Sequence, residues 1–225
     1  MPRTAGQRAG LTREQVVTAA ADLLAADGID AVSMRKVAER LGVAPNALYA
    51  HVPDKSALID ELVEAMLGAI ADPDPQLPWR ERAVAVLTDS RTALLAHPDL
   101  VPLLLVRQST GPHALRLGEH LLQALTQAGL AGADAATAAQ ALLVWTVGCA
   151  AFETGRATDP DPQARQARGR QRTASAGGLS AAYAEELATF AGREVFERGL
   201  AALIDGFTAP AGPGSASGGS RHPAR

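Results

Sequence analysis

The stretch 33–52 constrains this chain more than any other. Ser33 opens a short helical pattern with Val37, Ala38 and Leu41 inward; Gly42 follows, and Pro45 opens a second short helix with Leu48 and Val52 inward. A serine ahead of the first periodic residue caps a helix. A glycine supplies a left-handed turn, and a proline at the first helical position loses no hydrogen bond. Helix, tight turn and short helix together let the second helix protrude into a major groove while the first crosses the backbone behind it. Many helical hairpins share that spacing, so the flanks have to decide.

Upstream, Thr12 and Gln15 form a capping box, Val16, Ala20, Leu23 and Leu24 share one face, and Gly28 terminates the pattern. Downstream, Asp54 caps a helix striped by Leu58, Leu62, Met66 and Ile70, which the Asp-Pro-Asp-Pro run at 72–75 ends. Beyond Pro78 the spacing predicts helices over about 79–96, 100–107, 113–128, 133–156, 180–190 and 193–207. The 157–178 stretch, rich in Pro, Arg, Gln and Gly, reads as a mobile loop. Residues 1–10 read as a flexible basic tail and 209–225 as a disordered Gly/Ser/Pro tail. Aromatics make up only 4% of the 225 residues, so Ala, Leu and Val must build the core, which favours packed helices. The expected class is all-α: a three-helix helix-turn-helix domain over 11–55, joined by a linking helix to a larger helical domain over 56–208.

Charge is uninformative as a total, at −3, and informative in its distribution. Residues 33–55 carry Arg35, Lys36, Arg40 and Lys55 against Glu39 and Asp54, whereas 61–155 hold five basic residues against ten acidic ones. A basic end on an acidic body suits docking of that end on phosphates. Cys149 is the only cysteine, which excludes an intrachain disulfide and a cysteine metal cluster. The polar N-terminus is no secretion signal, and no apolar run is read as reaching bilayer length, so a cytoplasmic location without membrane contact is expected. No HExxH spacing, nucleophile elbow or Gly-rich phosphate loop is present, so His97, His113 and His120 form no recognisable metal set and an enzyme is not expected. Cys149 lies in an apolar pattern without a basic neighbour and reads as a small core residue.

The run 41–58, Leu-Gly-Val-Ala-Pro-Asn-Ala-Leu-Tyr-Ala-His-Val-Pro-Asp-Lys-Ser-Ala-Leu, resembles the signature of the TetR family of transcriptional regulators, as do Arg35 to Ala38 and the Gly28-Ile29 helix end. The body resembles the tetracycline-repressor branch at 93–97, 147–149 and 196–206. The resemblance implies a ligand-responsive repressor that binds palindromic operator DNA as a homodimer and is released by a small-molecule inducer. An activator, or a non-DNA-binding interaction or small-molecule-binding protein on the same fold, is the alternative. Arg35 matches a base reader, whose fork suits guanine; Ala44, Pro45, Asn46 and Ala47 start the recognition helix, with Asn46 suited to adenine. Ser33, Tyr49, His51 and Lys55 match phosphate contacts, Lys36 is a further DNA-binding candidate, and Arg3 and Arg8 suit a minor groove.

For the body, the resemblance implies a pocket lined by Met66, Val86, Ser90, Leu104, Arg107, Leu121, Trp145, Cys149 and Phe152. It implies a dimer interface through Leu142, Leu143, Phe196, Leu200, Leu203 and Ile204, positions that periodicity alone cannot separate from core. Leu104 stands where the tetracycline repressor has a metal-binding histidine, Phe152 replaces its acidic partner and Arg107 a neighbouring threonine. Without imidazole and carboxylate a hydrated cation has no ligands. A metal-tetracycline inducer is therefore not expected; no metal or cofactor is, and the inducer's identity stays open.

Overall fold

Local chemistry starts the first helix where the capping box sits. Thr12 Oγ1 accepts from the Gln15 backbone N–H at 3.2 Å, and Gln15 Oε1 accepts from the Thr12 N–H at 3.0 Å. Helix α1 (Arg13–Asp27) buries Val16, Ala20, Leu23 and Leu24. Ser33 caps α2 (Met34–Leu41) by accepting from the Lys36 N–H at 3.3 Å. Gly42 then turns the chain at φ 66°, a left-handed conformation that a side chain would strain. Asp54 caps α3 (Lys55–Gly68), accepting from Ala57 N–H at 2.8 Å.

The computed structural model describes residues 10–106, 109–157, 161–188 and 192–209. Helices α4 (Trp79–Ala96), α5 (Val101–Leu104), α6 (Pro112–Gln127), α7 (Gly132–Ala157), α8 (Pro162–Ser175), α9 (Gly178–Ala182), α10 (Ala184–Ala188) and α11 (Arg193–Thr208) complete the order. The architecture is all-α, with no strand among the described residues. α1 packs on α2 and α3; α4, α6 and α7 pack on one another; α11 lies against α7, and α3 reaches α6. One apolar cluster runs from α1 and α3 through Leu94, Leu100 and Val101 to Ala150, so the small domain's core continues into the body. A second joins Leu87, Leu121, Leu125, Leu142, Phe196, Leu200 and Ile204.

The sequence reading needs correction in four places. Pro45–Ala50 is a 3-10 helix rather than an α-helix: six residues are too few for α-helical cooperativity, and short helical pieces commonly take the tighter form. Most of 157–178, read as a loop, is helix α8, whose N-cap Asp161 accepts from the Ala164 N–H at 3.0 Å. α8 buries nothing, so it shows no apolar stripe to read. The helix expected over 180–190 breaks at Tyr183 between α9 and α10. Finally, Gly132–Gly155 of α7 is long and apolar enough to cross a membrane by length and composition, with a mean hydropathy of 1.5. Alanine supplies much of that hydropathy without bulk, and α7 packs against α4, α5, α6 and α11. The tails at 1–9 and 210–225 lie outside the described residues.

Candidate nucleic-acid interface and ligand cavity

Leu48 and Val52 are buried, and this anchoring leaves the other face of Pro45–Ala50 outward. Ala44, Pro45, Asn46, Ala47 and Tyr49 are exposed on it; Arg35 and Lys36 are exposed at the start of α2, and Lys55 at the start of α3. Ser33 and His51 are half-buried. The basic residues divide into two groups. Arg13 is paired with Glu61, and Arg40 with Asp22 at 3.4 Å. Arg35, Lys36 and Lys55 make no ion pair among the described residues, so their charge faces solvent undiluted. Unpaired cations around a protruding segment form a surface that fits phosphates and groove edges. Arg3 and Arg8 lie outside the described residues.

The residues expected to line a pocket are dispersed. A cavity of about 230 Å³ lies between α4, α5, α6 and α7, and only Ser90 and Leu104 of the expected set line it. The reading missed Leu117 and Gly118 on α6, and Gln140, Thr146 and Val147 on α7. Leu143, expected at a dimer interface, lines this cavity instead. An outer recess of about 490 Å³ shares Leu104, Gln140, Leu143 and Val147 and adds Leu105, Val106 and Val144. Met66 lines a separate cleft between α1, α3 and the turn at His97–Leu100. Val86 and Leu121 are core. Trp145 seats its ring where a Cβ on Gly199 would collide with it, and its Nε1–H donates to Phe196 O at 3.1 Å. Phe152 is 59% exposed, and Arg107 lies outside the described residues.

Leu142, Phe196, Leu200 and Ile204, expected at a dimer interface, are buried within the single chain, where α4, α6, α7 and α11 meet. Leu203 is half-buried against the same cluster. The exposed large apolar residues of α7, among those described, are Val144 and Phe152.

Cys149 is buried on α7. Burial pushes its thiol pKa up and the nearby Glu153 carboxylate adds to this, while Arg91 opposes. A raised pKa means little thiolate at neutral pH, hence low nucleophilicity. Labelling of the folded protein with an aromatic disulfide at pH 7 is expected to be at least ~100-fold slower than in denaturant; equal rates would restore a reactive-thiol role.

A polar seam that the sequence did not reveal joins the small domain to the body. Glu64 near the end of α3 accepts from the backbone N–H of His113 at 2.8 Å and of Ala114 at 3.4 Å, capping α6 from outside. Arg116 on α6 donates to Ile70 O at 2.9 Å and Leu67 O at 3.3 Å, closing the end of α3, and pairs with Asp72. His120 Nε2 sits 3.0 Å from the same Asp72 carboxylate. The hydrogen bond from Arg116, then that from His120, holds the Asp72 carboxyl below the usual carboxylate range. Its contribution to the seam is present above the ordinary carboxylate pKa and fades as pH falls through the lowered one.

Gly111 makes room for this cap: a Cβ there would collide with the Glu64 carboxyl group. Glu64 is flexible enough to swing aside, so Gly111→Ala should cost only what a lost helix cap costs, about 1 kcal/mol. In Gly111→Ala/Glu64→Ala the two losses should not add, because both remove one cap. Urea melts of the three variants read this directly; fully additive losses would mean that the cap contributes nothing.

Comparison with known proteins agrees with this geometry. Residues 16–62 match the family "Bacterial regulatory proteins, tetR family", and residues 72–210 match "Tetracyclin repressor-like, C-terminal domain". The chain is 34% identical over 196 residues to the class A tetracycline repressor from transposon 1721 of Escherichia coli, covering 85% of this chain and 88% of that one. An HTH-type transcriptional regulator of Saccharopolyspora erythraea is 35% identical over 145 residues, which cover 64% of this chain and 61% of that regulator. Among solved structures, Streptomyces coelicolor ActR in complex with actinorhodin superposes with a TM-score of 0.83 at 26% identity, over 89% of this chain and 97% of that one.

Proposed function

Because this chain belongs to the TetR family of bacterial regulators, we propose that it is a ligand-responsive transcriptional repressor that binds palindromic operator DNA as a homodimer and releases it when a small molecule fills the cavity between α4, α5, α6 and α7. The observation that carries this reading is the protruding Pro45–Ala50 segment, ringed by Arg35, Lys36 and Lys55 with no acidic partner. Arg35 and Asn46 present fork and amide groups to base edges, while Ser33, Lys36, Tyr49, His51 and Lys55 hold the backbone. One reading head binds weakly; a two-fold pair reads two half-sites about one helical turn apart.

Coupling follows from the seam. The cavity shares Leu67 with α3 and Ala114 with the first turn of α6, and Glu64 ties these two elements together. A ligand that moves α6 moves α3, which the DNA head shares with α1. Dimerisation is assigned to the outer face of α7, where Phe152 stays exposed.

Selection of binding sites from random DNA tests the proposal. A palindromic consensus is expected, with affinity for it falling steeply as salt rises. No enrichment of any sequence would overturn the DNA-binding reading, and enrichment of a lone half-site would overturn the dimer.

A further inference from the structure

We propose that the inner cavity selects an uncharged, largely apolar ligand that carries hydroxyl hydrogen-bond donors, and that Ser90 and Thr146 are the acceptors reading them. The inference deepens the reading of this cavity as an inducer site and rests on it.

The walls are mainly Leu67, Leu94, Leu104, Leu117, Leu143 and Val147, and no charged side chain is among the described lining residues. A carboxylate, ammonium or metal chelate entering here would shed its hydration with no opposite charge among the described lining residues to replace it. The chamber's polar lining is the hydroxyls of Ser90 on α4, Thr146 on α7 and Ser109 ahead of α6, with the Gln140 amide on α7; the two buried ones are Ser90 and Thr146. Ser90 Oγ on α4 donates to Val86 O at 2.6 Å, and Thr146 Oγ1 on α7 donates to Leu142 O at 2.9 Å.

A hydroxyl has one proton. Because each of these protons is already committed to its own helix, the groups turn lone pairs toward the cavity, and the two walls act as acceptors. A ligand O–H meets them directly. A ligand ether or carbonyl meets lone pair with lone pair, unless the side chain rotates and abandons a buried hydrogen bond. Gln140 stands where the inner chamber opens into the outer recess, and its amide offers both a donor and an acceptor. The inner volume of about 230 Å³ admits a compact head, and the recess beyond it, walled by Leu105, Val106 and Val144, admits an apolar extension.

The test uses three probes of one shape: 2-naphthol, un-ionised at pH 7, its methyl ether 2-methoxynaphthalene, and 2-naphthoate. Equilibrium dialysis against the full chain is expected to retain 2-naphthol about tenfold more tightly than the ether, and naphthoate more weakly than either. In Ser90→Ala/Thr146→Val the preference for 2-naphthol over the ether is expected to vanish, with ether affinity unchanged within about twofold. Each single variant is expected to lower the preference on its own, so a double variant that fails to fold still leaves the answer readable. An ether bound as tightly as the naphthol, a preference for naphthoate, selectivity that survives in the variants, or no binding of any probe up to its solubility would overturn the proposal.

Operator binding without probes separates this from the parent reading. A chain that shows the naphthol preference but enriches no DNA sequence loses the repressor reading and keeps the ligand class. A chain that binds its operator without the preference loses only the ligand class.

Discussion

Arg35→Ala is expected to remove most of the discrimination between the selected operator and random DNA while leaving the fold untouched. Arg35 is exposed at the start of α2 and makes no ion pair among the described residues, so truncation opens no cavity and orphans no carboxylate. A bidentate arginine–guanine contact is worth about 1–3 kcal/mol of discrimination, or roughly 5- to 150-fold per half-site. A dimer carries two copies, so the losses multiply across the palindrome. Two comparison variants sharpen the result. Lys55→Ala should weaken binding to all sequences alike and reduce the salt slope by about one. Arg40→Ala should change little, because Asp22 already engages that side chain. Anisotropy titrations on the consensus and on single-base variants measure all three; unchanged base preference in Arg35→Ala would remove it from the readers.

The second large effect is expected inside the body. Arg91 on α4 sends Nε to Glu153 Oε1 at 3.0 Å and Nη2 to Glu153 Oε2 at 2.5 Å, with its guanidinium 5.2 Å from the centre of the Phe196 ring on α11. The side chains are 10% and 17% exposed, so water screens the pair little. Arg91→Ala leaves Glu153 nearly buried and alone, an arrangement that costs about 3–5 kcal/mol. For a chain of this size that lowers Tm by roughly 6–20 °C. Arg91→Lys should recover only part, since an ammonium cannot form the fork. Arg91→Met/Glu153→Leu should recover most, because apolar replacement of both partners removes the orphaned charge. Calorimetry on the three variants decides: an Arg91→Ala loss below about 1 kcal/mol would place the pair with ordinary surface ion pairs.

The small domain was legible because its signals are local. Thr12, Ser33, Gly42, Pro45 and Asp54 each act within one helical turn, and each stands at the element end its chemistry marks. The body was legible as helices but not as sites. Periodicity separates inward from outward and cannot say which inward space is filled: Leu142 is core, whereas its neighbour Leu143 lines the cavity. The same limit set four residues buried within the single chain among the interface candidates. α8 stayed hidden because it buries nothing and is recognised only by its Asp161 cap. The seam at Glu64, Arg116 and Asp72 stayed hidden because its partners lie more than forty residues apart and no local pattern joins them.

The cap on α6 is borrowed. A helix usually fixes its own first turn with a residue just before it, so that the turn forms wherever the helix goes. Here Gly111 has no side chain to offer, and the carboxylate comes from Glu64 on α3. The first turn of α6 is therefore only as well formed as the seating of α3 allows, and by reciprocity whatever frays that turn loosens α3. The amide protons of His113 and Ala114 thus serve as a built-in gauge. Their exchange with solvent reports the seating of the DNA head from inside the sensing domain, without label or DNA.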